Sequence, residues 1–106
     1  MIILAFDVDG TLDCSNGPVP VSWLNQVHEA RVASVVIVSP SGAYVGPLPR
    51  VSGNPQRKDN LVGARLLYGS SPMYCLYVSD NKDHTEAEAA GFLYVEAIDF
   101  ARGIVR

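Results

Sequence analysis

Apolar and polar residues follow one another along the chain in blocks that predict an α/β domain. Short, nearly continuous apolar runs rich in β-branched and aromatic residues predict strands, at Ile2–Val8, Ser34–Ser39, Met73–Ser79 and Phe92–Val95. Apolar residues at helical spacing predict helices between them, at Val21–Arg31, Asp59–Tyr68 and Thr85–Ala90, with a helical turn in the tail Ala97–Val105. Since alternating strands and helices are typical of right-handed βαβ units, we expect a small Rossmann-like parallel sheet of about four strands flanked by helices.

Local signals mark helix ends and one long connection. Ser22, after Pro20, is the expected N-cap of the first helix, and Gly91 is a natural end for the third. The segment 40–56 is rich in proline and glycine, and we interpret it as a long connection with a small edge strand at Tyr44–Val45. A connection of this length in a small domain is more often functional than idle.

Polar side chains follow three of the apolar runs. Asp7 and Ser39 end the first two, and Asp80 follows the third. Because ligands in open α/β sheets bind beyond the carboxyl ends of the strands, these residues should converge on one edge. Lys58, at the start of a helix, adds a cation where helix N-termini favour anions. Acids for a metal and donors for an anion together predict a phosphate–metal site.

Composition narrows the function classes. The 106 residues predict a single domain spanning 1–106, and a net charge of −3 argues against strong nonspecific nucleic-acid binding. Recognition of one phosphorylated end remains open. The N-terminal apolar run is shorter than a membrane span and lacks a basic segment, so we expect neither signal peptide nor membrane anchor. Cys14 and Cys75 lack metal-ligand spacing, and two free thiols fit a cytoplasmic protein.

Four motifs in order carry a family resemblance. They are AFDVDGTL at 5–12, VVIVS ending at Ser39, Lys58 with Arg57 as its competitor, and LYVSDNKDHTEAEAAGF with Asp80 and Asp83. On these motifs the chain resembles the haloacid dehalogenase superfamily, whose members are mostly Mg²⁺-dependent phosphatases with an aspartate nucleophile. The first and fourth motifs are the specific ones, since the second and third are weak alone.

The resemblance implies a role for each matched residue. Asp7 would attack phosphorus and form an aspartyl-phosphate, and Asp9 would act as general acid and base. Mg²⁺, which prefers oxygen ligands, would be held by the Asp7 carboxylate, the Asp9 carbonyl and Asp80, with Asp83 as a further candidate. The phosphate would be bound by Ser39, Lys58, Gly10 and Thr11.

Two departures from the family pattern leave questions open. Ser79 replaces the usual glycine before Asp80, and the acids are one residue closer than in the common form, so Asp83 either reaches the metal or only orients Lys58. No segment is large enough for a cap domain. A cap-less site suits a phosphorylated macromolecular end that covers the site itself, or a small ester if a homodimer closes it.

Each of these residues also has a simpler, structural interpretation. The DxDG segment could be an ordinary turn or the start of an EF-hand, although that loop needs its glycine later. Ser39 could simply end a strand, Lys58 could be a solvated residue, and Asp83 could be a helix N-cap. Two other functions also compete: a receiver-type phospho-acceptor module, and a family member that binds or scaffolds without turnover.

Overall fold

The computed structural model describes residues 2–68 and 74–104, which form one parallel sheet covered by helices. The strands are β1 (Ile2–Phe6), β2 (Ser34–Ile37), β3 (Tyr74–Ser79) and β4 (Leu93–Glu96), in the spatial order β2-β1-β3-β4. The helices are α1 (Val21–Ala30), α2 (Arg57–Leu67), α3 (His84–Ala89) and α4 (Ala97–Arg102), with a single 3₁₀ turn at Asp13–Ser15. The predicted Rossmann-like α/β fold is confirmed.

Both faces of the sheet are buried, which explains the continuous apolar runs of its central strands. Successive residues of a strand point to opposite faces. Leu4 and Phe6 lie in a core cluster with residues of α1 and α4, whereas Ile3 and Ala5 lie in a second cluster with residues of α2 and α3. Because β1 contributes to both clusters, its residues are buried on both sides and its end is fixed in place.

The N-terminus of α1 differs from the prediction. Ser22 lies inside the helix and is exposed, so its assignment as N-cap is wrong, and Pro20 holds the N-cap position. The side chain of Asp13 accepts a hydrogen bond from the amide of Val21 at 3.1 Å and replaces the missing cap. A residue eight positions upstream therefore satisfies one of the free amides that begin every helix.

The segment 40–56 contains no strand at Tyr44–Val45, so that prediction is wrong. Tyr44 is buried, and the chain meets the sheet at Arg50 instead, through a single bridge to Ile37 of β2. The Ile37 amide donates to the Pro49 carbonyl and the Val51 amide to the Ile37 carbonyl, each at 2.8 Å. Tyr44 instead packs its ring in the core, and its carbonyl accepts a hydrogen bond from Arg50 Nη2.

Smaller differences concern the ends of elements. The first helical turn of α2 begins at Arg57, two residues before the predicted start, and β4 is shifted by one residue. Met73 and Val105 lie outside the described residues. Cys14 is exposed and Cys75 buried, and both are unpaired. Within the described part of the chain, no helix has the length and apolar character needed to cross a bilayer.

Candidate functional site

Three polar residues meet at the carboxyl edge of the sheet, as the order of motifs predicts. Phe6 pairs with Ile37 on one side and Val78 on the other, and the amide of Asp7 donates to the Val78 carbonyl at 3.0 Å. Ser39 and Asp80 each follow two residues after those partners. The register therefore places Asp7, Ser39 and Asp80 at one edge of the sheet, after β1, β2 and β3.

The Asp7 carboxylate is buried and flanked by two cations. Its side chain continues the alternation of Ile3 and Ala5 and so faces α2, and only 2% of the residue is exposed. Arg57 Nη1 donates to Oδ1 at 3.1 Å, and Lys82 Nζ lies 3.1 Å from Oδ2. Oδ2 is buried and accepts no hydrogen bond of good geometry within residues 2–68 and 74–104, so the Lys82 contact is an ion pair alone.

Arg57 is held in place by a short network. Its Nη1 donates to the Tyr77 hydroxyl at 2.6 Å, and that hydroxyl donates to Asp83 Oδ2 at 2.9 Å. Asp83 Oδ2 is also 3.7 Å from Arg57 Nη1. Burial works against the charge of Arg57, yet Tyr77 and Asp7 outweigh it and raise the pKa of the guanidinium. Burial also raises the pKa of Tyr77 far above its ordinary value, so its hydroxyl remains protonated and available as a donor.

Of the two adjacent cations on α2, the structure brings Arg57 to the site. Lys58 is exposed and forms no ion pair or hydrogen bond with any described residue. Because successive residues of a helix point about 100° apart, only one of two neighbours can face Asp7. Asp83, left open between a metal ligand and an orienting acid, lies with Arg57 and Tyr77. It occupies the N-cap position of α3, but its side chain makes no capping hydrogen bond.

The Asp9 side chain is hydrogen-bonded by hydroxyls, and the Lys82 charge also contributes to lowering its pKa. Its Oδ1 accepts hydrogen bonds from Ser15 Oγ at 2.7 Å and from Ser41 Oγ at 2.9 Å. These two bonds, the one from Ser15 first, lower the pKa of Asp9 because they stabilise its ionised form. The carboxylate of Asp9 is thus turned toward the 3₁₀ turn and the segment after β2.

Arg50 holds the segment that follows β2, from Ser39 to Tyr44, through its backbone carbonyls. Its Nη1 donates to the carbonyls of Ser39 and Ser41, both at 2.8 Å, and its Nη2 donates to the Tyr44 carbonyl at 2.7 Å. The buried Ser39 hydroxyl accepts the Ser41 amide at 3.2 Å and keeps its own proton to donate. A guanidinium carries five N–H donors in a rigid arrangement, so one side chain can hold several carbonyls at once. The turn after β2, which contacts Asp9 through Ser41, is therefore held in place by Arg50.

Gly10 allows the first and fourth motifs to touch. It adopts φ +72, and a Cβ at this position would lie 2.6 Å from Asp80 Oδ2, so any side chain here is excluded twice. The Gly10 and Thr11 amides already donate to the Ser15 and Val8 carbonyls. In contrast, the amides of Val8 and Asp9 donate to no group in the described ranges. A phosphate role for Gly10 and Thr11 stays a prediction.

The donor set suits a hard cation only in part. Asp7, Asp80 and the Asp9 carbonyl are oxygen donors of the kind Mg²⁺ prefers, and Asp7 Oδ2 is a buried oxygen without a hydrogen bond. No group of three or more His, Cys, Asp or Glu side chains able to hold a metal occurs among residues 2–68 and 74–104. The carboxylates of Asp9 and Asp83 are engaged elsewhere. Two carboxylates and one carbonyl therefore remain for Mg²⁺.

Sequence reasoning missed four residues of this site. Lys82 carries a usable signal, since it is a cation between two acids just after a strand. Tyr77 carries a weaker one, because a buried tyrosine must find a partner for its hydroxyl. Ser15 and Ser41 carry none, since small polar residues are common in turns.

Comparison of the chain with protein-family models, with curated proteins and with solved structures finds no match.

Proposed function

We propose that this chain is a Mg²⁺-dependent phosphomonoester hydrolase of the haloacid dehalogenase type, with Asp7 as its nucleophile. The observation that carries the proposal is the placement of Asp7. This carboxylate is buried at the carboxyl edge of the sheet with a cation on each oxygen. A buried acid costs stability unless it is paired, and here the paired cations are also suited to an incoming phosphate.

In the first step, an Asp7 oxygen attacks phosphorus. The P–O bond to the alcohol breaks, the alkoxide takes a proton from the Asp9 carboxyl, and an aspartyl-phosphate forms. In the second step, water attacks the same phosphorus and gives its proton to Asp9. The bond between Asp7 and phosphorus then breaks, which frees inorganic phosphate and restores both acids.

The remaining residues stabilise charge and orient groups. Arg57 would bind an equatorial phosphate oxygen while Tyr77 and Asp83 hold it over Asp7, and the Ser39 hydroxyl would donate to another. The unused amides of Val8 and Asp9 add donors beside Asp7. Mg²⁺, held by Asp7, Asp80 and the Asp9 carbonyl, would supply neutralisation of the developing negative charge.

The hydroxyls around Asp9 affect the first step. Because Ser15 and Ser41 lower the pKa of Asp9, the protonated form needed to protonate an alkoxide is scarce at neutral pH. Aryl esters, whose leaving groups need little protonation, should therefore be turned over more readily than alkyl esters. The natural substrate class is a phosphorylated small molecule or macromolecular end, in the cytoplasm, with a second copy of the chain as one means of covering the site.

The test is hydrolysis of an aryl phosphate by the purified chain, with and without Mg²⁺, beside the variant Asp7→Asn. We expect turnover that requires both the metal and Asp7, since chelation removes charge neutralisation and the substitution removes the nucleophile. Metal-independent turnover, or full activity in Asp7→Asn, would overturn the proposal. Metal binding without turnover on a broad panel of phosphate esters would favour a binding or scaffold protein instead.

A further inference from the structure

Lys82 lies in the fourth motif, but the family resemblance assigns it no role. Its ammonium lies 3.1 Å from Asp7 Oδ2, and about half of its side chain (48%) remains exposed. Arg57 already satisfies Oδ1 from the opposite side of the carboxylate. A second cation is therefore placed at the open side of the residue that carries the proposed chemistry.

The backbone on each side of Lys82 adopts an uncommon left-handed conformation. Asn81 has φ 52 and Asp83 has φ 66, so two left-handed residues that are not glycine flank one lysine. Each such residue is uncommon and persists only where its surroundings hold it, which happens most often at functional sites.

Both strained residues are held by contacts of their own. The Asn81 amide donates to Glu96 Oε2 at 3.0 Å, and Tyr94 donates to the same carboxylate oxygen. Asp83 accepts from Tyr77 at 2.9 Å. The turn is thus fixed at each side of Lys82, while the lysine itself is free to follow an anion at the opening.

We infer that Lys82 is a phosphoryl-binding residue of this site, the second of a cation pair with Arg57 on opposite sides of Asp7. The inference rests on the proposed function and deepens it by naming a phosphate ligand to which the family resemblance assigns no role. An anion approaching Asp7 would meet Arg57 at the buried side and Lys82 at the exposed side. A flexible ammonium suits the exposed position because it can leave Asp7 Oδ2 for a phosphate oxygen without moving the backbone.

The experiment measures binding of inorganic phosphate by calorimetry in the presence of Mg²⁺. Four proteins are compared: the natural chain, Lys82→Met, Lys82→Arg and, as a control for lost positive charge, Arg102→Met, which removes an exposed cation of α4. We expect phosphate affinity to fall about 10-fold in Lys82→Met, because a charge-assisted hydrogen bond is lost. Lys82→Arg should retain most of the affinity, and Arg102→Met all of it.

Unchanged phosphate affinity in Lys82→Met would overturn the inference, even if thermal stability fell, because Lys82 would then serve only as a counter-ion for Asp7. Tighter Mg²⁺ binding by Lys82→Met with unchanged phosphate affinity would overturn it too, by making Lys82 a competitor of the metal. No phosphate binding by the natural chain would also overturn it. Lys82-dependent binding in a chain without turnover would support the inference and reject the proposed hydrolase activity.

Discussion

Asp7 and Asp9 are separated by one residue, yet the molecule surrounds them with opposite chemistry. The Asp7 side, made of Asp7, Arg57, Tyr77, Lys82 and Asp83, pairs a buried carboxylate with two cations. On the Asp9 side, the hydroxyls of Ser15 and Ser41 donate to an exposed carboxylate. Ser39 and Arg50 hold the segment after β2 through hydrogen bonds to its backbone. Under the proposed function, the Asp7 side would carry the attack and much of the phosphate binding, and Asp9 would carry the proton transfer.

The contrast has a simple structural origin. Asp7 still follows the alternation of β1, so it faces α2 and meets the first residue of that helix. The chain then turns at Gly10, and Asp9 meets the 3₁₀ turn and the segment after β2. Two acids from one short loop therefore contact different elements, which allows their environments to be changed one at a time.

Asp7→Asn should have the largest effect. Loss of the nucleophile should reduce hydrolysis to the level without enzyme, a larger loss than the roughly 10²–10⁴-fold typical of a missing acid–base group. The measurement is steady-state hydrolysis of an aryl phosphate with Mg²⁺. Asp59→Asn, a change at an exposed acid in the first turn of α2, is the matched control. Residual activity of Asp7→Asn close to that control would remove Asp7 from the mechanism.

Asp9→Asn should come next, with a loss of about 10²–10⁴-fold. Because the leaving group of an aryl ester needs less help than an alkoxide, the loss should be greater for an alkyl phosphate. Comparing kcat for the two ester types in the natural chain and the variant checks this. Equal losses for both esters would mean that Asp9 does not transfer the proton.

Arg57→Met and Lys58→Met form the next test, since the two cations are adjacent in the chain and differ in their contacts. Removing one preorganised donor for transition-state charge typically costs about 10²–10³-fold. We expect that loss in kcat/KM for Arg57→Met and a much smaller one for Lys58→Met. The reverse order would restore Lys58 to the role that the motif pattern suggests.

Tyr77→Phe should have a moderate effect on both stability and rate. The change keeps the buried ring but removes the hydroxyl between Arg57 and Asp83, which should lower the free energy of unfolding by about 1 kcal/mol and reduce kcat/KM several-fold. Chemical denaturation and steady-state kinetics measure the two effects. Tyr74→Phe, at an exposed ring of β3, is the control. Unaltered kinetics with lowered stability would leave Tyr77 a purely structural residue.

Ser41→Ala should give the smallest change, a shift in pH dependence. The serine lowers the pKa of Asp9, so its removal should raise that pKa toward the ordinary value. The first step needs protonated Asp9, and activity therefore falls as pH rises through this pKa. The basic limb of the kcat/KM profile should move to higher pH, with Ser22→Ala, at an exposed serine of α1, as the reference. A shift to lower pH would contradict the assigned roles.

The sequence predicts the fold well where local pattern decides. Apolar runs rich in β-branched and aromatic residues locate all four strands. In β1, β2 and β3 these runs arise because both faces of the sheet are buried. It fails where a distant residue decides. The cap of α1 comes from Asp13, and the bridge to the edge strand β2 is made at Arg50, whose side chain bonds three carbonyls of the preceding segment.

In the candidate site, too, residues placed by local pattern are predicted, and those placed by distant contacts are missed. Asp7, Ser39 and Asp80 are found from sequence because each follows an apolar run. Whether Arg57 or Lys58 faces Asp7 depends on the residue at which α2 begins. The polar residues before α2 do not define that residue, because helix ends are uncertain by one or two positions. Lys82 reaches Asp7 from a turn in which Asn81 and Asp83 adopt left-handed conformations, and both residues are bonded to distant side chains, Glu96 and Tyr77.

The most direct test of the central claim is to trap the covalent intermediate. Asp9→Asn is incubated with an aryl phosphate and Mg²⁺, quenched in acid and analysed by intact-mass and peptide mass spectrometry. Slowed hydrolysis by this variant should leave a mass gain of one phosphoryl group on the peptide that contains Asp7. Turnover by the natural chain, with phosphate never found on Asp7 or found on another residue, would contradict the account.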